Sequence, residues 1–204
     1  MNWYKKAQIN RELWKVPDTD IEYTQQDIDM LPFNTTNIRT IEDDRGESQK
    51  TISTNTPEFK AWFANSKIVS DDGETPLVVY HGTQASFDTF KPGTTTSLHG
   101  GNSQMEGIYF TDSIDGASFY SLVDNDNRFL KKVYLSIQNP YHVETIKELK
   151  SSLNIDSLGD VSQKVKALGY DGVIIDKGFY SNGGPHKQII AFYPEQVKSI
   201  YKNL

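Results

Sequence analysis

Apolar residues in this chain come in strand-length runs that do not alternate one for one with helices, and this constrains the fold more than any other feature. Leu77-Val78-Val79-Tyr80 and Ile189-Ile190-Ala191-Phe192-Tyr193 are among the longest such runs. Neither approaches the roughly 20 residues that a membrane-crossing helix needs. Pro76 to Tyr80, Gly107 to Thr111, Lys132 to Ile137, Gly172 to Asp176 and Gln188 to Tyr193 read as strands, with Val133, Leu135 and Ile137 alternating onto one face. Thr56-Pro57 is an N-cap followed by proline at the first helical position, and Phe59, Trp62 and Phe63 follow at helical spacing. Asp112 or Ser113 caps a second helix carrying Ala117, Tyr120 and Leu122, and two more helices are predicted near 145–152 and 157–167. Irregular ordering of this kind predicts an α+β fold rather than a doubly wound sheet.

The first 56 residues differ from the rest. Trp3, Tyr4, Ala7 and Trp14 suit one short amphipathic helix, but beyond Pro17 the chain is polar and without sustained period. Residues 1–56 are expected to be an appendage, a short helix plus polar linker, with the compact domain spanning 57–204. The appendage holds 7 basic and 10 acidic residues, the remainder 14 and 17.

The net charge of −6 over 204 residues gives no diffuse attraction to phosphate backbones or anionic lipid. No Lys/Arg run exceeds Lys5-Lys6 or Lys131-Lys132, and Met1 to Lys15 has no apolar signal core, so a soluble cytoplasmic chain with no membrane partner is expected. The absence of cysteine removes disulfides, thiolate metal ligands and cysteine nucleophiles together. His81, His99, His142 and His186 are scattered without metal-ligand spacing, so no metal site is expected. Gly-rich dinucleotide and phosphate-loop patterns and the G-x-S-x-G elbow are all missing.

One constellation remains. Val78-Val79-Tyr80-His81-Gly82-Thr83 puts a histidine, a bare backbone and a hydroxyl at a strand end, while Tyr109 on a strand and Tyr120 on the following helix are eleven positions apart. Two aromatic faces beside a histidine and a glycine make a slot for a flat, amide-bearing ring. The same tyrosines also suit a core, His81 a satisfied strand-end position and Gly82 a turn, and the residues alone leave both readings open.

The arrangement resembles the ADP-ribosyltransferase fold, in the branch typified by diphtheria toxin and the poly(ADP-ribose) polymerases. The matching pieces are Tyr80-His81-Gly82-Thr83, then Gly107-Ile108-Tyr109-Phe110-Thr111 with Ala117 and Tyr120, then Gln188 to Phe192. The run from Thr56 to Thr83, Leu168-Gly169-Tyr170-Asp171-Gly172-Val173-Ile174 and Phe192-Tyr193-Pro194-Glu195-Gln196-Val197-Lys198-Ser199 are more closely similar to such domains in phage and mobile-element polyvalent proteins. The resemblance spans about 57–200 and implies a split antiparallel or mixed sheet with flanking helices around an NAD cleft. It implies that His81 bonds ribose hydroxyls of NAD, that the Gly82 backbone pairs with the carboxamide, that Thr83 assists at the rim, and that Tyr109 and Tyr120 sandwich the nicotinamide. NAD would be the co-substrate, and a macromolecule, protein more than nucleic acid, the acceptor.

Gln188 stands where the family signature has glutamate. Its carbonyl can accept the ribose hydrogen bond without a full charge, a loss of about 1–3 kcal/mol that slows the reaction about ten- to a hundredfold. Three activities stay open: mono-ADP-ribosylation, a silent NAD- or ADP-ribose-binding module, and NAD glycohydrolysis. Glu195 is the nearest downstream carboxylate but follows the strand end. Gly93 to Glu106 is expected to lie over the NAD site. Asp176 to Lys187, with Phe179, Tyr180 and His186, is expected to be either a target-recognition turn or a surface loop.

Overall fold

The computed structural model describes residues 39–40, 51–83, 87, 89–93, 105–120, 129–181 and 184–201; at 39–40, 119–120, 179–181 and 184–185 it describes the backbone alone. The helix expected around Trp3 to Trp14 and most of the segment from Gly93 to Glu106 lie outside these residues.

The strands are β1 (Arg39–Thr40), β2 (Val79–Thr83), β3 (Ile108–Thr111), β4 (Phe129–Leu135), β5 (Pro140–Val143), β6 (Gly172–Ser181), β7 (Gly184–Ala191) and β8 (Val197–Ser199). The helices are α1 (Pro57–Phe63), α2 (Ile114–Tyr120), α3 (Ile146–Leu153) and α4 (Val161–Ala167). One mixed sheet orders the strands β1-β4-β2-β3-β7-β6-β5, with β8 on β4. β1 on β4 and β5 on β6 are parallel, and the other pairings are antiparallel. This is the α+β, mixed-sheet architecture expected.

Local chemistry explains the helix starts. The Thr56 hydroxyl accepts from Phe59 N at 3.1 Å beside Pro57, and the Thr145 hydroxyl accepts from Glu148 N at 3.1 Å. Asn154 ends α3 in the left-handed region at φ 51°, where its short polar side chain is tolerated.

The alternation of Val173-Ile174-Ile175 and Ile189-Ile190 feeds two cores, one on each face of the sheet. Val173, Ile175 and Ile190 pack with Leu149, Val161 and Val165 of α3 and α4. Ile174 and Ile189 pack with Val79, Phe110, Val133 and Ile68 on the opposite face.

Besides β5 and β8, where no strand was expected, three segments depart from the spacing. β2 begins later than Pro76 and continues to Thr83, because β4 pairs with it through Thr83↔Phe129. His81, Gly82 and Thr83 therefore stand within a strand. Of residues 176–187, expected as a loop or recognition turn, 176–181 instead continue β6 and 184–187 belong to β7, paired through Ser181↔Gly184. A register shift between Ile175 and Phe179 interrupts the regular pairing of β6 with β7. Within residues 1–56, β1 pairs with β4, and Ile52 N donates to Ile200 O at 2.7 Å.

The two most distinctive phrases near the C-terminus join each other. Gln196 accepts from Phe192 N and Tyr193 N, both at 2.9 Å, and donates to Asp171 O at 2.8 Å. The Asp171 carboxylate accepts from Gln138 N at 2.7 Å and Asn139 N at 2.8 Å, fixing the turn into β5.

Candidate active site

β2 and β3 share one registered pair, Tyr80↔Thr111, after which β2 keeps register only with β4. The sheet splits there, and His81 is the first residue past the last shared pair. Its Nδ1 lies 2.7 Å from Tyr109 O, so a side chain bridges where backbone pairing has ended. A carbonyl oxygen can only accept, so Nδ1 carries the proton and Nε2 is the acceptor.

The surroundings hold the ring in that neutral form. Burial is the main influence lowering the His81 pKa, the Tyr109 carbonyl opposes it, and the Lys131 charge adds to the lowering. Phe87, Phe90 and Phe110 surround the imidazole with centroids 6.0, 5.3 and 5.7 Å away. Lys131, paired with His81 across β4, donates to Phe87 O, and its Nζ lies 4.0 Å from the Phe87 centroid.

Tyr109 is half-buried against the α3–α4 core, and its hydroxyl donates to Met105 O at 2.8 Å. Gly82 and Thr83 follow His81 along the split edge, paired with Leu130 and Phe129. Tyr120 is the last residue of α2, and its side chain lies outside the described residues.

Gln188 is half-buried on β7, in a cross-sheet row that runs Tyr80, Thr111, Gln188, Ile175. Alternation puts this row on the face opposite Phe110 and Ile189, whereas His81 packs beside Phe110. The structure thus brings the His81 ring against the Tyr109 backbone carbonyl, while the Tyr109 and Gln188 side chains share the opposite face of the sheet.

α2 lies over that row. A methyl at Gly116 would come within 3.3 Å of both the His186 ring and the Thr111 hydroxyl, so the small residue sets the close approach. Ser113 Oγ accepts from Gly116 N at 3.2 Å and caps the helix start.

The family model for the ADP-ribosyltransferase domain in polyvalent proteins matches residues 70–204. The chain belongs to that family. A comparison with curated proteins gives no match.

An ADP-ribosyltransferase domain of this kind is a transferase, and in this one the matched region includes the whole split from β2 to β7. A cavity of about 330 Å³ lies elsewhere, lined by Lys67, Leu77, His142, Lys187 and Ile189; none of His81, Tyr109 and Gln188 lines it. Among the described residues no group of three or more His, Asp or Glu side chains is placed to hold a metal ion, and no helix is long and apolar enough to cross a membrane.

Sequence reasoning did not single out Phe87 and Phe90 around His81, or Lys131 across the strand. The alternation in β4 places Lys131 among apolar neighbours and was the available signal. Asp112, a helix-cap candidate by sequence, also accepts from Lys187 N at 3.1 Å through its carboxylate.

Proposed function

We propose that this ADP-ribosyltransferase domain is an NAD-dependent mono-ADP-ribosyltransferase that moves ADP-ribose from NAD to a macromolecular acceptor with release of nicotinamide. The observation that carries the reading is the 2.7 Å contact of His81 Nδ1 with Tyr109 O at the sheet split; with burial holding the ring's pKa down, that contact leaves Nε2 as an acceptor. An acceptor in a fixed tautomer suits a ribose hydroxyl donor. In this reading Gly82 meets the carboxamide through its backbone, Thr83 lines the rim, and Tyr109 and Tyr120 enclose the nicotinamide ring.

The C1′–nitrogen bond of the nicotinamide ribose breaks, its electron pair leaves with neutral nicotinamide, and an oxocarbenium-like C1′ takes the acceptor nucleophile, which gives up a proton. The leaving group needs no acid, so positioning and negative potential at the ribose do most of the catalysis. Gln188 offers its carbonyl to the ribose 2′-hydroxyl. Without a formal charge it favours slow, single transfers over chain elongation. The net charge of −6 favours a protein acceptor over nucleic acid. The resemblance to phage and mobile-element domains suggests work in a bacterial cytoplasm.

Residues 1–56 form, on this proposal, an appendage to a domain of 57–204, tied to its sheet through Arg39–Thr40 and Ile52.

Gln188 itself favours the second reading, an NAD- or ADP-ribose-binding module without turnover. Nicotinamide release by the purified protein, with and without bacterial lysate, separates the two. Release that depends on lysate, with label entering a macromolecule, is expected. Equal release without lysate identifies a glycohydrolase. NAD-dependent thermal stabilisation without release identifies the binding module, and the absence of both release and stabilisation refutes the site.

A further inference from the structure

Asp112 stands at the turn between β3, which carries Tyr109, and α2, which carries Tyr120. Its Oδ1 accepts from Lys187 N at 3.1 Å, across 75 residues of sequence. Lys187 immediately precedes Gln188, so one carboxylate joins the β3–α2 turn to the strand of the candidate acceptor residue. Beside it, the Thr111 hydroxyl accepts from Ser113 N at 3.2 Å, and Thr111 is the cross-strand partner of Gln188.

On the other flank, β6 brings Gly178 against Gln188. A methyl at Gly178 would sit 2.5 Å from Gln188 Cβ, 3.1 Å from Ile175 Cβ and 3.3 Å from Gln188 N. Gly178 lies inside the register shift between Ile175 and Phe179, where β6 departs from regular pairing. No side chain fits there without displacing the Gln188 backbone.

We infer that Asp112 is a positioning residue for Gln188, holding β7 at a set height relative to α2, with Gly178 closing the opposite side. The inference rests on the reading of Gln188 as acceptor for the hydroxyl beside the breaking bond. A carboxylate that bonds a backbone N–H fixes the strand rather than the side chain, so Asp112 sets where the Gln188 carbonyl can point. It touches no reacting atom on this account.

The test compares dissociation constants of NAD and of NAD lacking the 2′-hydroxyl on the nicotinamide ribose, by titration calorimetry. The parent is expected to prefer NAD about tenfold, as for one neutral hydrogen bond. Gln188→Ala removes the preference. Asp112→Ala is expected to remove it as well, while Asp112→Asn, which keeps an acceptor oxygen, restores most of it. Gly178→Ala is expected to behave like Asp112→Ala. A merely structural role for Asp112 would weaken both ligands equally and leave the ratio near ten, and that result overturns the inference alone. A parent with no preference overturns the reading of Gln188 and this inference together.

Discussion

The imidazole Nδ1 of His81 lies 2.7 Å from the carbonyl oxygen of Tyr109, and this contact joins β2 to β3 past their last backbone pair. One side chain therefore closes the head of the split and presents its second nitrogen as an acceptor. His81→Ala is expected to weaken NAD binding about tenfold or more by calorimetry, with the fold retained by circular dichroism. Unchanged affinity in a folded variant would remove His81 from the site.

The lowered pKa of His81 has a pH signature. The folded state holds the ring neutral below the ordinary 6.5, so around and below that value the unfolded chain binds more protons. Stability from this group is complete above about 6.5 and declines as pH falls through the lower folded value. Thermal midpoints measured from pH 8 to 5 are expected to fall on the acid side, and less steeply in His81→Gln. Parallel curves for the two proteins would contradict the neutral imidazole.

Gln188→Glu is expected to raise nicotinamide release about ten- to a hundredfold, because a charged acceptor strengthens the ribose hydrogen bond as positive charge develops. Release is read by chromatography under single-turnover conditions. A slower or equal rate would mean that Gln188 does not face the ribose.

Gln196 is buried and spends its amide on Phe192 N, Tyr193 N and Asp171 O. Gln196→Ala is expected to destabilise the domain by about 1–3 kcal/mol, because it leaves buried backbone groups unpaired. Urea midpoints at constant m-value test this.

Core and surface should separate cleanly. Leu135 is 0% and Leu168 61% exposed. Leu135→Ala is expected to cost about 2–5 kcal/mol and Leu168→Ala about 0.5 kcal/mol or less, compared in the same denaturation series.

The α1 cap at Thr56-Pro57, the β3 strand and the cores of β6 and β7 were all legible in the sequence, because each depends on neighbours within a few residues. The later start of β2, the edge strand β5 and the continuation of the β6–β7 hairpin were not. Those limits depend on a partner strand, such as Phe129 opposite Thr83, which no local pattern encodes. The candidate site divides in the same way. His81 and Tyr109 are proposed from residue type and position and Gln188 from the family resemblance, whereas the phenylalanines around His81 come from separate segments.

By itself the sequence determined the α+β class and the family and put Gln188 forward as a candidate, because composition, periodicity and ordered phrases are properties of the chain alone. Only the tertiary structure decided that His81 bonds Tyr109 O, that Asp112 holds Lys187 N and that Gly178 abuts Gln188. Each of these is a contact between distant segments whose existence turns on strand register and on where the sheet splits. A shift of one residue in either would send the same side chains to opposite faces.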